Sequence, residues 1–119
     1  MSEIQITFDV KMAGYVITMP DFVSLEILKD WKCRFDEVLA SISNDAELAL
    51  LIDTGKHGFE SVECLKFLRD YLTETPDFRN KFVKAAFVAP SNFAAPHIVS
   101  DMEAYFNEFQ AAYDWLKSV

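Results

Sequence analysis

The sequence predicts an α/β domain: a mixed sheet of about five strands, opened by a hairpin and carrying crossover helices mainly on one face. Two observations carry that expectation. The first is the alternation of Ile4, Ile6, Phe8 and Val10 with Gln5, Thr7 and Asp9, followed by a second β-branched and aromatic segment, Tyr15 to Met19. The second is Leu48-Ala49-Leu50-Leu51-Ile52-Asp53, an apolar run with no polar face that closes on Asp53-Thr54-Gly55 and leads into a helical pattern. A buried parallel strand delivers its loop to the carboxyl edge of a sheet in this way. Strands alternating with helices need right-handed crossovers, which put sequential helices on the same face.

Each element follows from local chemistry. Lys11-Met12-Ala13-Gly14 turns the hairpin, and Pro20 stops its second strand. From Asp21 to Asn44, Leu28, Trp31, Phe35, Val38, Leu39 and Ile42 form one stripe while Lys29, Asp30, Lys32, Asp36 and Glu37 face away. That amphipathic helix is capped by Ser24 or Asp21 and closed by Asn44. After the strand at Leu48 to Ile52, Ser61 caps a second helix with Val62, Leu65, Leu68 and Leu72 on one face, and Thr75-Pro76 ends it. Val83 to Ala89 has the small and apolar content of another buried strand. Ala95-Pro96-His97 starts a short third helix running to about Met102, since a proline in the first turn loses no hydrogen bond. Ala104-Tyr105-Phe106 is a brief last strand, and Phe109 to Leu116 closes the chain as a helix. No linker or repeat divides residues 1–119, so one domain is expected.

Composition narrows the function. A net charge of −8 and a pI near 4.6 repel a phosphate backbone, so no nucleic acid is expected, while a basic protein partner stays open. No apolar run is long enough to span a bilayer, and the acidic start Met1-Ser2-Glu3 is unlike a secretory signal, so a cytoplasmic protein is expected. Cys33 and Cys64 lack metal-ligand spacing and read as buried thiols. No nucleophile elbow, phosphate-cradling glycine run or zincin motif is present, and no cofactor or metal is expected.

Taken together, Leu50-Leu51-Ile52-Asp53, Lys84-Ala85-Ala86-Phe87-Val88-Ala89, Tyr105-Phe106 and Ala112-Tyr113-Asp114-Trp115-Leu116 resemble the SpoIIAA-like, STAS/SEC14-related family over most of the chain. The resemblance implies a small STAS-like domain with a mixed sheet, used as a regulatory or binding module rather than as a catalyst. Its anti-sigma-antagonist branch implies a phosphorylated Ser or Thr at Ser61. Here Glu60 stands in place of Asp, and Val62-Glu63-Cys64 in place of a small, Gly-rich context. Ser61 itself reads as a helix cap. The SEC14-like branch implies an alternative role as a carrier of lipid or another apolar ligand, for which Tyr15, Phe59 and Phe93, in or beside loops, are the pocket candidates.

A ligand is expected in the crevice between Asp53 to Ser61 and Pro90 to His97, the loops leaving two neighbouring parallel strands. Helix amino termini at Ser61 and near Pro96, with Lys56, favour a small anionic group, and Phe59 and Phe93 cover the rest of the ligand. Asp53, His57, Ser91, Asn92 and His97 complete the candidate lining. Asp53 with His57 is the acid–base pair of the weaker, enzymatic reading, and His97 with Asp101 has the helical spacing of two metal ligands without a third. The strip Val16, Ala49, Leu51, Ala86 and Val88 points to the far sheet face. The terminal helix covers it, or failing that a homodimer does.

Overall fold

The alternating amino-terminal segment forms β1 (Gln5–Asp9), which pairs antiparallel with β2 (Gly14–Thr18). A computed structural model describes residues 4–20, 22–43, 45–54, 62–89, 96–100 and 102–117. Then come α1 (Leu25–Ser41), β3 (Leu48–Asp53), α2 (Val62–Glu74), α3 (Pro76–Lys81), β4 (Phe82–Val88), β5 (His97–Ser100), β6 (Glu103–Phe106) and α4 (Phe109–Lys117). Among the described residues the sheet has six strands in the order β1-β2-β3-β4-β6-β5. The β2–β3, β3–β4 and β4–β6 pairs are parallel, and β5–β6 is antiparallel. The apolar run is therefore central, with Leu50, Leu51 and Ile52 all buried.

The tight turn into β2 depends on two backbone features. Ala13 holds a left-handed conformation, φ 56°, and Gly14 lies so close to β3 that a Cβ there would sit 2.0 Å from the Ala49 carbonyl oxygen. Only glycine fits such an approach.

Two clusters fill the two faces of the sheet. On one, Ile17, Leu50 and Ile52 meet Leu28, Trp31, Phe35 and Leu39 of α1 and Cys64, Leu68 and Tyr71 of α2. Phe35, Phe67, Phe78, Phe82 and Phe87 belong to this layer: Phe35 stacks on Phe78 at 5.6 Å and on Phe82 at 6.3 Å. Tyr15 lies in β2, edge-on to Phe8, Phe35 and Phe82, and so packs in the core instead of lining a pocket. On the opposite face, Met12, Val16, Ala49, Leu51, Ala86 and Val88 are covered by Ala112 and Leu116 of α4. The strip expected on that face is thus the one observed, and the terminal helix covers it.

Several boundaries differ from expectation. Helix α1 is shorter at both ends, with Ser24 as its cap: the Ser24 hydroxyl accepts the Ile27 amide at 3.3 Å. Pro76 does more than end α2; it occupies the first turn of α3, the position proline favours. The segment after Pro96 is strand β5, not a helix. Ile98 and Val99 are β-branched, and four residues cannot repay helix nucleation, whereas pairing with β6 satisfies their backbone directly. Of the residues placed by alternation on the core face, Phe8 is 49% exposed on the edge strand β1, and Val10, 81% exposed, lies past its end in the turn. Val62 is likewise exposed, and Cys33 is an exposed thiol while Cys64 is buried.

Candidate functional site

The carboxyl edge of the sheet is built by the last residues of β2, β3, β4 and β6, and hydrogen bonds tie them side by side. The Met19 amide donates to the Asp53 carbonyl at 2.9 Å. Thr54, buried directly after β3, donates both its amide (3.0 Å) and its hydroxyl (2.8 Å) to the Val88 carbonyl. The Ala89 amide donates to the Phe106 carbonyl at 2.9 Å, and the Asn107 side-chain amide donates to the Ala89 carbonyl at 2.8 Å. The chain therefore leaves β3 and β4 from one fixed rim. Thr54 and Asn107, which make that rim, were not among the sequence candidates; their signal is a polar residue directly after each strand end.

Of the nine candidate residues, Asp53 and His97 lie within the described residues; Lys56, His57, Phe59, Ser61, Ser91, Asn92 and Phe93 lie outside them. Asp53 ends β3 half-buried, in register with Thr18 on one side and Val88 on the other. By strand alternation it continues the Ala49–Leu51 row, on the face covered by α4. His97 opens β5, exposed and opposite Tyr105. Tyr105 is in register with Phe87, and Phe87 with Ile52, so this row lies on the α1/α2 face. Asp53 and His97 consequently face opposite sides of the sheet. Three inter-strand steps of about 4.8 Å, on the order of 14 Å in all, also separate their strands.

The His97 ring packs 4.9 Å from Tyr105, which packs 5.1 Å from Phe87, so one aromatic row crosses β4, β6 and β5. The Tyr105 hydroxyl donates to Glu103 Oε2 at 3.1 Å. Burial raises its pKa above the ordinary tyrosine value; the neighbouring Glu103 charge adds to the effect and the Arg69 charge opposes it. Because β5 is a strand, the helix amino terminus expected near Pro96 and the helical spacing of His97 with Asp101 are both gone, and Asp101 itself lies outside the described residues. Among the described residues no three His, Cys, Asp or Glu side chains converge as a metal site. A shallow hollow of about 530 Å³, lined by Ser24, Leu25, Glu26 and Lys29, lies at the start of α1. None of the nine candidate residues is among its described lining, and the Ser24 hydroxyl there is already used as the cap.

No protein-family model matches the sequence, and no curated protein matches it. Among solved structures, the chain is similar to an uncharacterized protein of the DUF3478 family from Shewanella loihica PV-4, whose crystal structure is described as having a SpoIIAA-like fold. The match has a TM-score of 0.61 at 18% identity and covers 98% of this chain and 95% of the other. No helix among the described residues is long and apolar enough to cross a membrane. With a hairpin, parallel central strands and helices on both faces, and with that match over nearly its whole length, this chain has the SpoIIAA-like fold.

Proposed function

We propose that this domain is a non-catalytic binding module whose ligand or partner segment seats at the carboxyl edge between the ends of β3 and β4. The observation that carries this reading is the hydrogen-bonded rim: Thr54 and Asn107 fix the points from which residues 55–61 and 90–95 leave the sheet. Loops held at their base by a rigid scaffold and divergent beyond it are where such sheets place binding residues. In this reading Lys56 and Ser61, just before α2, meet an anionic group, Phe59 and Phe93 flank the remainder, and Asp53, His57, Ser91 and Asn92 lie around it, while His97, on the opposite face and three strands away, is left out of the site.

Two features bear on the alternative readings. Asp53 and His97 face opposite sides of the sheet and do not form an acid–base pair, while His57, the partner of Asp53 in the enzymatic reading, lies outside the described residues. Of the aromatic side chains named for an apolar pocket, Tyr15 packs in the core against Phe35 and Phe82, while Phe59 and Phe93 lie outside the described residues. This reading needs no second copy to complete the core, since α4 covers the strip for which a homodimer was the alternative cover.

The test is an amide-shift titration of the labelled protein with small carboxylates and inorganic phosphate, repeated on Lys56→Ala. Shifts centred on Asp53, Thr54 and the first turn of α2, and weakened by the substitution, are expected. Shifts scattered over the surface, or indifferent to Lys56, reject the site.

A further inference from the structure

Apolar exposure concentrates at one margin of the sheet. All four residues of β5 are exposed, and Ile98 (63%), Val99 (55%) and the nearby Met102 (55%) are large apolar side chains left open within five positions of each other. Among the described residues the strand is the outermost of the sheet on that side, with no described strand beyond Ile98 and Val99. Its register with β6 runs Ile98 to Ala104 and then Ser100 to Glu103, passing over Val99. The opposite edge strand, β1, ends in Asp9, whereas β5 contains no Asp, Glu, Lys or Arg.

Charge decides between the occupants of such an edge. The chain carries −8 overall, so a second copy approaches with like net charge. A pairing confined to one four-residue strand also falls well short of the roughly 1,200 Å² of a stable interface. A basic segment meets the same edge with attraction.

We propose that β5 accepts an extended basic segment of a protein partner as an added strand, with apolar residues of that segment against Ile98, Val99 and Met102 and flanking lysines or arginines answering the acidic domain. Main-chain hydrogen bonds supply the affinity and alternate side chains the selectivity, as in other strand-addition modes. The contact is a weak and reversible one.

The full-length protein, isotopically labelled, is titrated with a synthetic peptide of alternating valine and threonine flanked by lysines, and with the same peptide flanked by glutamates. Two variants serve as controls. Ile98→Lys adds a repelling charge at an exposed position. Val99→Pro removes a donor at a residue the β6 register passes over, and near-UV circular dichroism verifies its fold. The proposal expects saturable shifts confined to residues 97–104, lost in both variants, absent with the acidic peptide and weakened about tenfold or more as salt rises from about 50 to 300 mM, since screening shortens the reach of the attraction. Equal response to the acidic peptide, or shifts elsewhere that survive both variants, overturns it. Self-association without peptide that strengthens with salt also overturns it, because screening the like charges would then favour a second copy.

Discussion

Replacing Gly14 with alanine tests the packing of β2 against β3 at its tightest point. The added Cβ would lie 2.0 Å from the Ala49 carbonyl oxygen, 2.6 Å from its carbonyl carbon and 2.8 Å from its nitrogen, all backbone atoms that cannot rotate aside. Real Cβ contacts essentially never fall below 3.0 Å, so the strands must part by about 1 Å. The Ala49 amide now donates to the Ala13 carbonyl at 3.0 Å. Adding that displacement takes the bond to about 4 Å, past hydrogen-bonding range. Losing a buried backbone pair costs about 1–3 kcal/mol, and overpacking costs a similar amount, so Gly14→Ala should destabilise by about 3–5 kcal/mol. For a domain of this size that is a drop in Tm of roughly 12–20 °C. Urea unfolding followed by far-UV circular dichroism measures it. Ala13→Gly, which relieves a left-handed residue beside the same contact, should change stability by less than about 1 kcal/mol. A Gly14→Ala protein within about 1 kcal/mol of the parent, with unchanged cooperativity, would refute the packing argument.

Two further outcomes are expected. Leu51→Asp places a carboxylate at a fully buried position between β3 and α4 and should cost several kcal/mol, about 3–5, read as a shift in the urea midpoint; a midpoint within experimental error of the parent would remove Leu51 from the core. Asp9 Oδ1 accepts the Met12 amide at 3.0 Å and the Tyr113 hydroxyl at 3.0 Å. The Met12 bond, with smaller help from Tyr113 and Lys11 and against partial burial, holds its pKa below the ordinary value of 3.8. The stabilisation is therefore complete above that ordinary value and fades as pH falls through the lower, folded-state pKa. Asp9→Asn should flatten the acid side of the stability profile below about pH 4, and an acid limb superimposable on that of the parent would show that the carboxylate is not coupled to folding.

The parts of this fold legible in the sequence are those where one local period decides the outcome. Val16, Ala49, Leu51, Ala86 and Val88 fell on a common face because alternation fixes the side of every residue once a strand is identified. Helix α1 was readable because its stripe from Leu28 to Leu39 repeats over several turns. The misreadings share a different cause. Pro96 and Pro76 are ambiguous locally, since proline both stops one element and starts the next; β5 is a strand only because β6 is beside it, and α3 is a helix where a stop was expected. The placement of β5 outside β6 is likewise nonlocal, and it put His97 on a different face from Asp53. Sequence proximity to the carboxyl edge located Asp53 correctly, yet the residues that fasten that edge, Thr54 and Asn107, act across strands through partners far away in the chain.

The cover supplied by α4 also has a consequence for synthesis. Its residues 109–117 emerge from the ribosome after every strand they cover, and a nine-residue helix has little stability of its own before it docks. The first layer, built on α1 and α2, needs nothing from α4 and can assemble on the nascent chain. Until α4 arrives, Val16, Leu51 and Val88 face water, so the growing chain passes through a stage with one dry face and one sticky face, a natural substrate for holding chaperones. The bond from Tyr113 back to Asp9, spanning 104 positions, closes that stage by tying the last helix to the first strand.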